Sequence, residues 1–195
     1  MELLFATHNR HKLQEVAALL RHCDSVKSPI DLGFCDEIPE DHETIEANSA
    51  QKAQFIYQAL RRSVFSDDTG LEVVALNGAP GVYSARYAGV SCSFDDNIEK
   101  LLFALHGIND RRACFRTVVT LILDGKQHQF EGRVDGEILT ERHGLAGFGY
   151  DPIFRPDGYS ISFAEMDMQT KNTISHRARA IKKMVEFLNS EYPCQ

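Results

Sequence analysis

Asp67 and Asp68, two adjacent carboxylates, are the residues of this chain whose type and spacing most directly suggest chemistry. They stand in Ser66-Asp67-Asp68-Thr69-Gly70, behind the apolar pair Val64-Phe65. Carboxylates delivered at the end of a strand, beside a flexible turn, hold hard cations such as Mg²⁺. Side by side the two charges also repel, so they require a cation, a partner or water. The plainer alternative is a solvated turn, since Asp, Thr and Gly all favour turns.

Three further groups carry candidate chemistry. Thr7-His8-Asn9-Arg10-His11-Lys12 lies between a buried strand pattern, Leu3-Leu4-Phe5-Ala6, and a helical repeat of Leu13, Val16, Ala17 and Leu20. A loop at a helix N-terminus attracts anions through its amides, Lys12 adds a full charge, and Asn9 can cap. Without a glycine-rich loop, simple capping with a solvated Lys12 competes with phosphate binding. Gly144-Leu145-Ala146-Gly147-Phe148-Gly149-Tyr150-Asp151-Pro152 sets three glycines around two aromatics. Such a loop lets backbone approach a ligand and lets Phe148 stack on a flat ring, or else the aromatic plugs the core. Lys171, His176 and Arg177 gather at the start of the last helix. Cations there oppose the macrodipole, so an anion is expected beside them.

The positioning elements alternate between α and β. A helix over about Asn48 to Arg62 carries Ala50, Ala53, Tyr57 and Leu60 on one face, with Lys52 off that stripe and expected in solvent. Before it, the stretch from Ser25 to Glu46 ends in Asp36, Glu37, Glu40, Asp41, Glu43 and Glu46, either a solvated acidic loop or a source of metal carboxylate. Asn77-Gly78 marks a turn. Ser93 and Asp96 form a capping arrangement ahead of Ile98, Leu101, Leu102 and Leu105, with Gly107 as a stop. Cys114 to Leu123 is strand-like, Asp124-Gly125 turns the chain, and two extended runs follow, Gln127 to Glu131 and Val134 to Leu139. Ser162 and Glu165 read as another capping box, and Ile174, Ala178, Ile181, Val185 and Leu188 face inward on the last helix.

Bulk properties bound the answer. The 195 residues fit one domain, 1–195, and 43% hydrophobic with 25% charged residues describes an ordinary globular chain with material for a core. No apolar run approaches the ~20 residues that span a bilayer. The opening Met1-Glu2-Leu3-Leu4-Phe5 enters a strand pattern without a basic leader, so a cytoplasmic protein is expected. Cys23, Cys35, Cys92, Cys114 and Cys194 form no Cys-x-x-Cys pair and are expected as reduced, mostly buried thiols. A net charge of −7 argues against a general nucleic-acid binder, yet it leaves room for a small polyanion held by local cations and a metal.

Taken in order, six segments resemble the inosine triphosphate pyrophosphatase family over nearly the whole chain. They are Thr7-x-Asn9-x-x-Lys12, Asn48-x-x-x-Lys52-Ala53, Ser66 to Leu71, Gly78 to Tyr87, Gly147 to Pro152, and Ser175-His176-Arg177. His8 stands where many members carry a small residue. The resemblance implies an α/β fold: a long twisted mixed β-sheet with flanking helices and two lobes around a central cleft. It also implies a homodimer and hydrolysis of ITP, dITP and XTP to the monophosphate and pyrophosphate, while the charge and the apolar runs above lead to the expectation of no nucleic-acid or membrane partner.

The resemblance also implies roles for residues. Glu40, Asp68 and Asp67 are the expected Mg²⁺ carboxylates, with Glu37 and Glu43 close enough to compete for the place of Glu40. Asp68 is the expected general base or water-positioner. The substrate is expected to meet Thr7, His8, Asn9, Arg10, His11, Lys12, Lys52, Thr69, Phe148, Gly149, Tyr150, Asp151, Lys171, His176 and Arg177. In that scheme the first loop binds pyrophosphate through its amides, Phe148 stacks on the purine, and Arg177 with His176 donates to the 6-oxo oxygen. The rival readings are a pyrophosphatase of the same fold with another base preference, a nucleotide sensor without catalysis, and a purely structural protein.

Overall fold

The computed structural model of the chain describes residues 3–20 and 26–191. Among them are six strands: β1 (Leu4–Phe5), β2 (Val64–Val73), β3 (Pro80–Gly81), β4 (Arg112–Leu123), β5 (Lys126–Ile138) and β6 (Phe154–Pro156). They form one mixed sheet of order β1-β2-β4-β5-β6, with β3 paired to β2. β1 runs parallel to β2, Leu4 opposite Val64 and Phe5 opposite Phe65, whereas β3 pairs with β2 and β6 with β5 antiparallel. The expected α/β class with a mixed sheet and flanking helices is what forms.

The chain divides into two compact units. The first comprises Met1–Asp68, Thr117–Gly132 and His176–Gln195. Its helices are α1 (Arg10–Leu19), α2 (Ile45–Leu60) and α5 (His176–Glu191). Successive strand residues point to opposite faces, and both faces here are covered. Phe5, Phe65, Val119 and Leu121 pack with Val16 of α1 and with Ile181 and Met184 of α5. Leu4, Val64 and Ile122 pack with Ala53 and Ile56 of α2. The near-continuous apolar run of β4 follows from burial on both sides. At Gly132 of β5, a Cβ would lie 2.0 Å from the His176 carbonyl, so the start of α5 comes as close to the sheet as only glycine permits.

The second unit comprises Thr69–Arg116 and Arg133–Ser175, with α3 (Phe94–Ala104) and α4 (Met168–Ile174). Its core joins Leu71 and Val73 of β2, Phe115 of β4 and Val134 of β5 with Ile98 and Leu101 of α3. The Ser93–Asp96 capping box opens α3 as expected.

Several expectations are corrected. Residues 66–70 are not a turn but lie within the ten-residue strand β2. The two extended runs after Gly125 are one strand, β5. Ser162 and Glu165 exchange the capping-box bonds, yet only a turn follows, and the next helix, α4, begins at Met168 under an Asp167 cap. That helix is separate from α5, so Lys171 does not share a helix start with His176 and Arg177. Of the described cysteines only Cys114 is buried; Cys92 is half-buried and Cys35 exposed. Cys23 and Cys194 lie outside the described residues.

Candidate active site

Because strand residues alternate, Asp67 and Asp68 leave β2 in opposite directions, and each meets a different set of cations. Asp68 faces α2, where its Oδ1 lies 3.0 Å from Lys52 Nζ. The same ammonium binds Glu40. Lys52, expected in solvent, is 4% exposed. The buried residues of α2 are Ile45, Asn48, Ser49, Lys52, Ala53 and Ile56; of the expected stripe Ala53 is buried and Tyr57 and Leu60 pack at the margin of the same cluster.

Glu40 is the acidic-loop residue brought to Lys52; Glu37 and Glu43 are exposed. Asn48, quoted above only as part of a family segment, and Gln51, which sequence reasoning passed over, hold that loop on α2. The Asn48 side chain accepts from the His42 amide at 2.8 Å and donates to the His42 carbonyl at 3.1 Å. Gln51 accepts from the Asp41 amide at 3.0 Å and donates to its carboxylate at 2.9 Å.

Asp67 faces α1 and α5. Its Oδ1 accepts from Lys12 Nζ at 2.9 Å and its Oδ2 from Arg177 Nε at 2.8 Å. Arg177 Nη1 goes on to Glu15. The anion expected beside the cations of α5 is thus the protein's own pair of carboxylates. Two of the Arg177 guanidinium donors, Nε and Nη1, are engaged by Asp67 and Glu15. Glu15 was missed, although an acid three residues after Lys12 falls on the same side of a helix. His176 is buried as well.

Asn9 caps α1 as expected, and its side-chain oxygen takes the amides of His11 and Lys12. Those two amides are engaged by the cap. Thr7 is buried and accepts from the Asn9 amide at 3.1 Å, while His8, Arg10 and His11 are exposed.

The adjacent aspartates are pushed apart electrostatically. Burial raises the Asp68 pKa, and although Lys52 and Lys12 oppose it the carboxyl stays above its ordinary value. Burial works the same way on Asp67, but Lys12 and Arg177 outweigh it and hold that carboxyl well below the usual range. Glu40 is likewise lowered, since Lys52 and Lys12 outweigh its burial. A pair of titratable groups driven in opposite directions is a signature of divided acid–base roles. Across these ion pairs Lys12, Lys52 and Arg177 face Glu15, Glu40, Asp67 and Asp68.

Among the described residues no three His, Cys, Asp or Glu groups gather to hold a metal. The direct ion pairs of Asp67 are with Lys12 and Arg177, those of Glu40 and Asp68 with Lys52. Mg²⁺ needs no all-protein cage, since one or two carboxylates, waters and substrate phosphates commonly suffice. Glu40 and Asp68 fit that mode. Asp68 Oδ2 is buried and has no hydrogen-bond partner, a state that an incoming cation would relieve.

In the second unit a separate constellation forms around Asp151. Its Oδ2 accepts from the Phe148 amide at 2.8 Å and from Lys171 Nζ at 2.7 Å. The Lys171 ammonium lies 5.4 Å from the centre of the half-buried Phe148 ring. Gly147 has φ +77°, and a Cβ there would sit 2.2 Å from Asp151 Oδ2, so the loop closes only over glycine. Gly149 borders open space, and Thr69 is half-buried. Tyr150 turns inward, 4% exposed, and its hydroxyl donates to the Ser84 carbonyl at 2.9 Å.

Comparison with known proteins adds independent evidence. The family model described as Ham1 family matches residues 3–187. The dITP/XTP pyrophosphatase of Porphyromonas gingivalis is 47% identical over 188 residues, covering 96% of this chain and 97% of its own. That of Flavobacterium johnsoniae is 45% identical, covering 97% and 99%. The Staphylococcus aureus Ham1 protein structure superposes with a TM-score of 0.88 at 38% identity, covering 98% of this chain and all of that one. A HAM1 protein from Coxiella burnetii gives 0.89 at 35% identity, covering 97% and 99%.

Proposed function

This chain belongs to the Ham1 family, and on that premise we propose that it hydrolyses the non-standard purine nucleoside triphosphates ITP, dITP and XTP to monophosphate and pyrophosphate. The observation that carries the reading is the divided pair on β2: Asp68 with raised pKa and an unpartnered oxygen, Asp67 held as an anion among cations.

Water attacks the α-phosphorus; a bond from its oxygen to phosphorus forms while the bond from that phosphorus to the bridging oxygen breaks, releasing pyrophosphate. Asp68 orients the water and takes its proton, a task helped by a carboxylate more basic than usual. Lys52 and Lys12 meet the charge of the triphosphate, and Glu40 and Asp68 would hold Mg²⁺. Bound there, Mg²⁺ supplies Lewis-acid neutralisation of phosphate oxygens. Asp67 keeps Lys12 aimed, and Arg177 with Glu15 keeps Asp67 aimed. Phe148 stacks on the purine, with Asp151 and Lys171 fixing its loop.

No described helix is long and apolar enough to cross a membrane. A cytoplasmic homodimer completes the reading, supported by the family resemblance. The deciding experiment is pyrophosphate release from ITP, XTP, dITP, GTP and ATP with and without Mg²⁺. Mg²⁺-dependent release restricted to the first three is expected; equal use of ATP, or none of any, would overturn it.

A further inference from the structure

We propose that the buried hydroxyls of Ser49, Ser66 and Thr120 form a clasp that positions Lys52 against Asp68. The inference rests on the reading above, in which those two groups act on the triphosphate.

Ser49 precedes Lys52 by three residues on α2, so both leave the same side of the helix. Ser66 precedes Asp68 by two on β2, so both leave the same face of the strand. Helix and strand are therefore joined by two rungs. One is ionic, Lys52 Nζ to Asp68 Oδ1 at 3.0 Å. The other is a hydroxyl pair, Ser49 Oγ to Ser66 Oγ at 3.2 Å.

The hydroxyl rung is anchored at both ends. Thr120 of β4 donates to Ser49 Oγ at 2.8 Å, and Ser66 donates to the Ser49 carbonyl. With those two protons placed, Ser49 is left to donate to Ser66. The Gln129 amide of β5 donates to Thr120 Oγ1 at 3.1 Å and to the carbonyl of Glu46, in the first turn of α2, at 3.0 Å. Each hydroxyl proton thus has one destination, and the chain has one direction.

Ser49, Ser66 and Thr120 have no measurable exposure. Apolar side chains would fill the same space at less desolvation cost. What a satisfied polar chain adds is a unique register, where apolar contact tolerates sliding. Lys52 reaches Asp68 on a long flexible stem, so any slip of α2 is passed to its ammonium. A displacement of about 1 Å at a reacting centre costs ~10²-fold in rate.

The test separates register from packing at Thr120. Thr120→Val keeps the shape and loses the hydroxyl; Thr120→Ser keeps the hydroxyl and loses a methyl. kcat for ITP is expected to fall about 10-fold in the valine variant and stay within about 2-fold in the serine variant, with KM steady in both. The reverse order, or a valine variant at full kcat, would overturn the clasp. A second arm compares Ser49→Ala in the native and Lys52→Met backgrounds, each checked for folding by circular dichroism. The serine loss should cost about 10-fold in the first and little in the second, because the clasp acts through that ammonium. Equal proportional losses would mean a general structural role. Lys52→Met at full kcat would instead sink the functional reading; Lys52→Met impaired with Ser49→Ala and Thr120→Val normal sinks the clasp alone.

Discussion

Nε of Arg177 lies 2.8 Å from Oδ2 of Asp67, and neither side chain is more than 2% exposed. A cation at the first turn of α5 opposes the helix dipole, and this carboxylate, with Glu15 beyond it, is what makes the position tenable. Arg177→Ala leaves two buried carboxylates without their shared cation. Stability should fall by about 3–5 kcal/mol, the usual cost of removing one partner from a buried ion pair. Urea unfolding measures it, and an unchanged midpoint would contradict the assignment.

Asp68→Asn preserves shape while removing the charge that faces Lys52. Turnover of ITP should drop by ~10² or more, as expected for a lost general base. Near-native kcat at saturating Mg²⁺ would reject the role.

Metal dependence should follow Glu40 alone within the acidic loop. Chelator should abolish activity and Mg²⁺ should restore it. Glu40→Gln should raise the Mg²⁺ concentration needed for half-maximal activity by roughly 10-fold or more, in keeping with weakened metal sites. Glu37→Gln and Glu43→Gln, both exposed, should leave the titration where it was. Equal effects at all three positions would argue for a diffuse acidic patch.

Acid should destabilise the protein partly through Asp67. Its folded pKa is depressed below the ordinary 3.8, since Lys12 and Arg177 outweigh burial. A depressed carboxylate contributes stability that is fully present above the unfolded pKa and is lost as pH falls below it towards the folded value. Denaturant midpoints taken from neutral pH down to about 2.5 should therefore fall more steeply in the native protein than in Asp67→Asn. The variant starts less stable but has a flatter profile; parallel profiles would refute the linkage.

The proposed purine site can be probed through its glycine. Gly147→Ala places a methyl against Asp151 Oδ2 at a φ of +77° and must displace the Phe148 loop. Phe148→Ala removes the stacking ring. Base–aromatic stacking contributes ~1–3 kcal/mol, so KM for ITP should rise about 10-fold in Phe148→Ala and in the same direction in Gly147→Ala. An unchanged KM in both would place the base elsewhere.

Much of this protein was legible in the residues themselves. Strand β1, the Asn9 cap, the Ser93–Asp96 box and the Asp124-Gly125 turn follow from short-range patterns, because each depends on neighbours in the chain. The ordered motifs pointed to the family and hence to the chemistry. The tertiary structure decided the rest wherever buried partners are polar. Lys52 read as solvent-facing by its place off the apolar stripe, yet with Ser49 and Asn48 it lies on the buried face of α2, because the sheet opposite presents Ser66 and Asp68. Asp67 and Asp68 look like one shared site, but strand alternation sends one to α1 and α5 and the other to α2. Arg177 was correctly sensed to need an anion; which anion was set by β2 and α1, elements distant in sequence, meeting the start of α5. Local pattern reports what a residue prefers, and only the assembled fold determines which charges it must be buried with.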